Sequence, residues 1–137
     1  MWEKKYRQAV FTGIYQILFW REQGIPMDID LEYIFEQIDS KNIVADTTEL
    51  NFILDTFLQN ESEYNIILEK YLKKQDQTFP VVLAILYTYM VEIQYKLYIE
   101  PEKTKVISHY IRLTENLIGG QNVNLVHAIL IKLSTRI

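Results

Sequence analysis

Three cations crowd the start of the chain in the stretch "MWEKKYRQAV": Lys4, Lys5 and Arg7. The surrounding residues read as a helix. A helix N-terminus already carries partial positive charge, so an exposed cation there costs roughly 0.3–1 kcal/mol. The whole chain is acidic, with 18 Asp+Glu against 14 Lys+Arg. A basic cluster set against both the dipole and the overall balance has a purpose if it meets phosphate. Exposed helix N–H groups and cations together form an anion site. The other reading is a solvated helix face with no ligand. Tyr6 and Tyr15 share this helix, so nucleic-acid bases could stack beside the cations. Tyr87, Tyr89, Tyr95 and Tyr98 lie in or just after a strongly apolar segment and read as packing residues.

Enzyme chemistry finds little to work with. His109 and His127 fall on different expected helices and read as packed or solvent-facing. There is no His-Glu-x-x-His, no i, i+4 His pair and no acid/His cluster with metal spacing. The "IGGQN" stretch has two glycines but lacks the preceding strand and following Lys-Ser/Thr of a phosphate loop. Asp28/Asp30 and Glu61/Glu63 stand where helices are expected to start, and capping accounts for them. The absence of cysteine excludes thiolate chemistry and disulfides. No catalytic residue, metal or cofactor is expected, and the chain does not read as an enzyme.

The elements that must position the basic cluster follow from the 3.6-residue period. The first segment runs from about Glu3 to Gln23, with Tyr6, Val10, Gly13, Ile17 and Trp20 along one side and Gly24 and Pro26 as its stop. The second has Leu31, Ile34, Phe35 and Ile38 on one face. The third opens at "DTTE", where Asp46 can cap and Glu49 can reach back, and buries Leu50, Ile53, Leu54, Phe57 and Leu58. The fourth opens at "NESE" by the same logic, from Asn60 and Glu63, and buries Tyr64, Ile67, Leu68, Tyr71 and Leu72.

The fifth segment starts at Thr78 with Pro80 in its first turn. It is apolar nearly all round from Phe79 to Ile93, which makes it the central helix; Leu83→Ala or Ile85→Ala should each cost about 2–5 kcal/mol. The sixth begins near Pro101, uses Val106, Tyr110, Ile111, Leu113 and Leu117, and stops at Gly119–Gly120. The seventh is "NVNLVHAILIKL", with Val126, Ile129, Leu130 and Leu133 inward.

The expected fold is therefore all-α, about seven helices in one domain over residues 1–137. At this length one core can form without staples. The N-terminus does not read as a secretory signal, because Gln8, Thr12 and Gln16 interrupt its apolar stretch. "FPVVLAILYTYMVEI" falls short of the ~18 continuous apolar residues of a membrane span.

Four stretches in the same order carry a resemblance to a known family. "KKYRQAVFTGIYQ" resembles the arginine-rich first helix of NusB-type transcription antitermination factors. "ILDTFLQNESEYNIILEKYL" is similar, without a gap, to that family's third and fourth helices. "VVLAILYTYMVEI" resembles its central helix and "NLVHAILIKL" its closing motif, the most specific of the four. The resemblance implies two small helical bundles packed side by side and a cytoplasmic protein. It implies binding of a short single-stranded RNA element, boxA, of ribosomal RNA leaders. The implied partner is NusE, a ribosomal small-subunit protein, within the RNA polymerase antitermination complex that reads through terminators.

On that resemblance Lys4, Lys5 and Arg7 match the arginine-rich motif and would contact RNA phosphates. Tyr15 matches the motif tyrosine and would lie against the RNA. Gln121, Asn122 and Asn124 fall before the closing motif, where their amides would bond bases or sugars. Double charge reversal, Lys4→Glu with Arg7→Glu, is expected to weaken RNA binding without lowering thermal stability.

The chain departs from the family pattern in several places. Some of the usual arginines are lysines here, which lose bidentate phosphate geometry. Ala84 stands at the central helix's usual Arg, Leu125 replaces an aromatic, His127–Ala128 replace Asn-Gly, and Ile131 replaces Asp. Two other readings stay open: a helical protein-interaction module whose RNA site has decayed, and a stand-alone relative of the RNA-binding domain of rRNA methyltransferases.

Overall fold

The computed structural model describes residues 2–24, 47–72, 80–118 and 121–134. Among these the chain forms five helices and no strand: α1 (Lys4–Glu22), α2 (Thr47–Glu69), α3 (Pro80–Lys96), α4 (Glu100–Leu117) and α5 (Gln121–Ser134). The all-α expectation holds. The expected second segment, with Leu31, Ile34, Phe35 and Ile38, lies outside the described residues. So do the Asp28/Asp30 pair, the Asp46 cap and the Gly119–Gly120 stop.

The expected third and fourth segments are one helix, α2. Asn60 does not cap a new helix; its side-chain amide donates to the Thr56 carbonyl at 2.8 Å, inside the turn. Glu61 does not cap either, and its carboxylate pairs with Arg21 on α1. The buried stripe explains the continuity. Leu50, Ile53, Leu54, Phe57, Tyr64 and Leu68 are all buried. Their i+3, i+4 and i+7 spacing runs through "NESE" without a change of phase. Nothing in that stretch removes an N–H or demands a left-handed turn, so capping residues alone do not break the helix.

α3 is central, as its composition demands. Every residue from Ala84 to Ile93 is buried, and the helix packs against each of the other four. α1 and α2 pack against each other on it, and so do α4 and α5. Ile85 is fully buried, whereas Leu83 is only partly so. The loss expected for Leu83→Ala therefore falls below that for Ile85→Ala.

Where α1 crosses α2, Gly13 lets the helices approach; a Cβ there would stand 2.9 Å from a Leu54 methyl. α1 buries Arg7, Ala9, Val10, Phe11, Gly13, Ile14 and Ile17. Its inward face is thus rotated from the expected stripe, and both Tyr6 and Trp20 are half-buried.

α3 stops at Leu97, which adopts a left-handed conformation (φ 52°) and donates its N–H to the Ile93 carbonyl at 3.0 Å. That reversal carries the next residue, Tyr98, back into the core. α4 then starts with Pro101 in its first turn, where the missing N–H is harmless. No described helix is long and apolar enough to cross a membrane.

Candidate nucleic-acid interface

The three N-terminal cations part company in the folded chain. Lys4 is exposed, Lys5 is half-buried and Arg7 is buried. Arg7 meets Glu92 of α3 in a bidentate pair, Nε to Oε1 at 2.8 Å and Nη2 to Oε2 at 2.9 Å. Tyr110 donates to Glu92 Oε1 at 2.8 Å and Tyr98 to Oε2 at 2.7 Å. Each carboxylate oxygen therefore accepts two hydrogen bonds, which uses the full capacity of the group. The Trp2 backbone N–H donates to the Tyr98 hydroxyl at 3.3 Å. The Arg7 guanidinium also lies over the Tyr110 ring, 5.1 Å from its centroid.

Burial alone would lower the Arg7 pKa, but the hydrogen bonds and charge of Glu92, with Tyr110, outweigh it and hold it above its ordinary value. Burial pushes Tyr110 well up, and the Glu92 charge pushes it further. The expectation for Arg7 is corrected here. Its charge is spent on Glu92 inside the protein, because a cation this buried needs an internal partner.

What remains of the expected surface is a stripe on α1. Lys4, Gln8, Phe11, Tyr15 and Phe19 follow one another at i+4 and i+3 steps, so they share one side of the helix. Phe11 and Tyr15 stack with ring centroids 6.0 Å apart and planes at 23°. Tyr15 and Phe19 repeat the arrangement at 6.2 Å and 24°. Exposure rises along the row, from buried Phe11 through half-buried Tyr15 to exposed Phe19. The cationic end of the stripe opens on a pocket of about 300 Å³ between the first turns of α1 and the last turns of α4. Lys4, Arg7 and Gln8 line it from α1; His109, Arg112, Leu113, Glu115 and Asn116 line it from α4.

Of the expected closing-motif contacts, only the Asn124 side chain lies among the described residues. Asn124 is exposed on α5 and does not line the pocket. Gln121 and Asn122 open α5, and their side chains lie outside the described residues. His127 is exposed on the same helix.

His109 was expected to be packed or solvent-facing, and it is half-buried in the pocket wall. Burial lowers its pKa, and the charges of Arg7 and Arg112 lower it further, against a smaller opposing pull from Glu92. Phe11, Phe19 and Arg112 also escaped the reading of the sequence. The aromatic row had a signal, Phe-x-x-x-Tyr-x-x-x-Phe at helical spacing. Arg112 had none, because only the fold brings it beside Lys4.

Comparison of the chain with protein-family models, curated proteins and solved structures gives no match. The site's chemistry is therefore read from its own residues. Among the described residues no group of three or more His, Asp or Glu is placed to hold a metal ion.

Proposed function

We propose that this protein binds single-stranded RNA as a NusB-type transcription antitermination factor. It would act on boxA-type RNA together with the ribosomal protein NusE, with helices arranged as two bundles about α3. The observation that carries the reading is the α1 stripe. A cation-lined pocket at one end is followed along the same side of α1 by a stacked aromatic row, Phe11, Tyr15 and Phe19. Single-stranded nucleic acid is held by this combination: cations track the phosphates while unpaired bases stack on rings. Lys4 takes a phosphate, and Tyr15 and Phe19 offer faces to bases. Asn124, exposed on α5, stays in the proposal as a polar contact. The role is binding, not catalysis.

The test is a fluorescence anisotropy titration of the full chain with a short boxA-type RNA and a scrambled control. It is run with and without the ribosomal partner at two salt concentrations. Two to three neutralised phosphates predict a log–log salt slope of about −1.4 to −2. Preference for the boxA-type RNA that tightens with the partner and weakens in salt is the expected result. Lys4→Glu combined with Phe19→Ala should abolish it. A specific observation favours one other reading, a protein-interaction module: Phe52, Leu97 and Ile99 are exposed by 59%, 81% and 64%, and Phe52 lies against Tyr95. Absence of RNA preference in every condition selects that reading.

A further inference from the structure

The pocket between α1 and α4 holds more positive charge than the fold requires. Arg7, at one wall, is neutralised by Glu92. The side chains of Lys4, His109 and Arg112 have no hydrogen bond or ion pair among the described residues, although Glu115 lines the same pocket. Two lysine and arginine charges thus face one carboxylate, in a protein whose net charge is −4. His109, Arg112 and Asn116 are spaced i, i+3 and i+7, which sets all three along one side of α4. Lys4 and Gln8, one turn apart on α1, complete the ring of donors.

We propose that this pocket binds a single phosphate group, held by Lys4 and Arg112 as charges, by Gln8 and Asn116 as neutral donors, and by His109 as a further donor. The proposal deepens the RNA reading, on which it rests for the source of the phosphate. Arg112 supplies the planar fork that the N-terminal lysines lack, and a fork suits phosphate geometry better than an ammonium does. It also restores the second strong cation that Arg7 cannot provide.

The arrangement couples occupancy to protons. Burial, Arg7 and Arg112 keep His109 below its ordinary pKa. The charged groups facing it are Lys4 and Arg7 from α1, Arg112 and Glu115 from its own helix, and Glu92 from α3. An anion seated among them offsets the repulsion from the cations and favours the imidazolium, which is the form able to donate from both ring nitrogens. Binding therefore takes up a proton and strengthens as the pH falls through the histidine range.

The chain has two histidines, which makes the test direct. The ring resonances of His109 and His127 are followed by NMR while the full-length protein is titrated with inorganic phosphate, at constant ionic strength set with chloride. The His109 signals should move saturably and its pKa should rise, while exposed His127 stays put. Sulfate, whose charge is constant over the range, should bind more tightly near pH 5.5 than near pH 7.5, about one unit either side of the ordinary histidine pKa. Arg112→Gln, checked for helix content, should weaken binding about tenfold, as expected for one charge-assisted hydrogen bond.

Short single-stranded RNAs with and without a 5′-phosphate then identify the source. Equal displacement of bound phosphate by both assigns an internal phosphodiester. Displacement only by the phosphorylated RNA assigns a terminal phosphate. Saturable phosphate binding with no RNA binding keeps the pocket and overturns the RNA reading. His109 and His127 moving alike, or no saturable shift, overturns the pocket even if RNA binds along α1.

Discussion

α1 carries an arginine near each end, and each forms an ion pair with a glutamate of another helix. Arg7 meets Glu92 at 2.8 Å with side chains 4% and 0% exposed. Arg21 meets Glu61 at 2.5 Å with side chains 41% and 19% exposed. The outer pair is the shorter, yet distance does not rank them. At the outer end water competes for both groups and salt screens them. At the inner end neither charge has water to fall back on, so two tyrosine hydroxyls complete the shell around Glu92. Environment decides what a contact is worth, and it also decides which cation of the N-terminal cluster is left for a ligand.

The largest effect should follow from breaking the inner pair. Arg7→Ala or Glu92→Ala should each lose about 3–5 kcal/mol in urea melts, because each strands a buried charge. Arg7→Glu is worse in kind, since it sets a second carboxylate against Glu92. This reverses what the basic cluster led us to expect: the double reversal at Lys4 and Arg7 should unfold the protein, and RNA binding by it would report nothing about the site. Lys4→Glu alone keeps the fold. An Arg7→Ala variant as stable as the parent would mean that the pair is not buried in solution.

The contrast also shows what the sequence could and could not disclose. The central helix was legible because burial on all sides needs a nearly continuous apolar run, and Val82–Ile93, interrupted only by Thr88 and Glu92, supplies one. Glu92 in that run weighs against a membrane span, and it also signals an internal partner, because a carboxylate in the most buried helix needs one; that partner is Arg7. Helical period gives the direction of a residue on its own helix but not what stands opposite. For the same reason the sequence puts Lys4 and Tyr15 on one helix but does not put His109 and Arg112 beside them; these lie more than a hundred residues from Lys4 and share its pocket only in the fold. The "NESE" boundary failed differently. Good capping residues were present, but the buried stripe runs through them without a change of phase as far as Leu68.

A smaller loss sharpens the inner end. Tyr98→Phe removes one donor to Glu92 and the acceptor for the Trp2 N–H. A buried polar group left unsatisfied costs about 1–3 kcal/mol, less than a stranded charge. The loss should be smaller than for Glu92→Ala, and amide exchange at Trp2 should accelerate. If Trp2 exchange is unchanged, the hydroxyl does not hold the N-terminus.

Alkali should act at both ends. Burial, then the charge of Glu61, pushes Tyr87 up to about 12, with Arg21 opposing. Burial raises Tyr98 as well, reinforced by its hydrogen bond to Glu92. In the unfolded chain tyrosines ionise near 10. Above that pH the unfolded state releases protons that the folded state retains, so stability is full below about 10 and declines as pH rises toward the folded values. The urea midpoint should fall between neutral pH and pH ~11, with tyrosinate absorbance rising together with unfolding. Tyrosinate that forms before the helices melt would place these hydroxyls in water.

The smallest effect belongs to the outer pair, and it is the one that tests the comparison most closely. Arg21→Ala should cost about 0–1 kcal/mol, and whatever it costs should shrink in high salt. A double-mutant cycle with Glu61→Ala isolates the coupling from the packing of the arginine stem. If distance governed strength, this 2.5 Å pair would couple at least as strongly as Arg7–Glu92. If burial governs it, the coupling is weak and salt-sensitive, while the inner pair is strong and indifferent to salt. Because Arg21 lies beyond the Phe19 end of the α1 stripe, its loss should leave RNA affinity near the parent value. A strong, salt-insensitive coupling at Arg21 would overturn the ranking, and with it the reason for excluding Arg7 from the RNA surface.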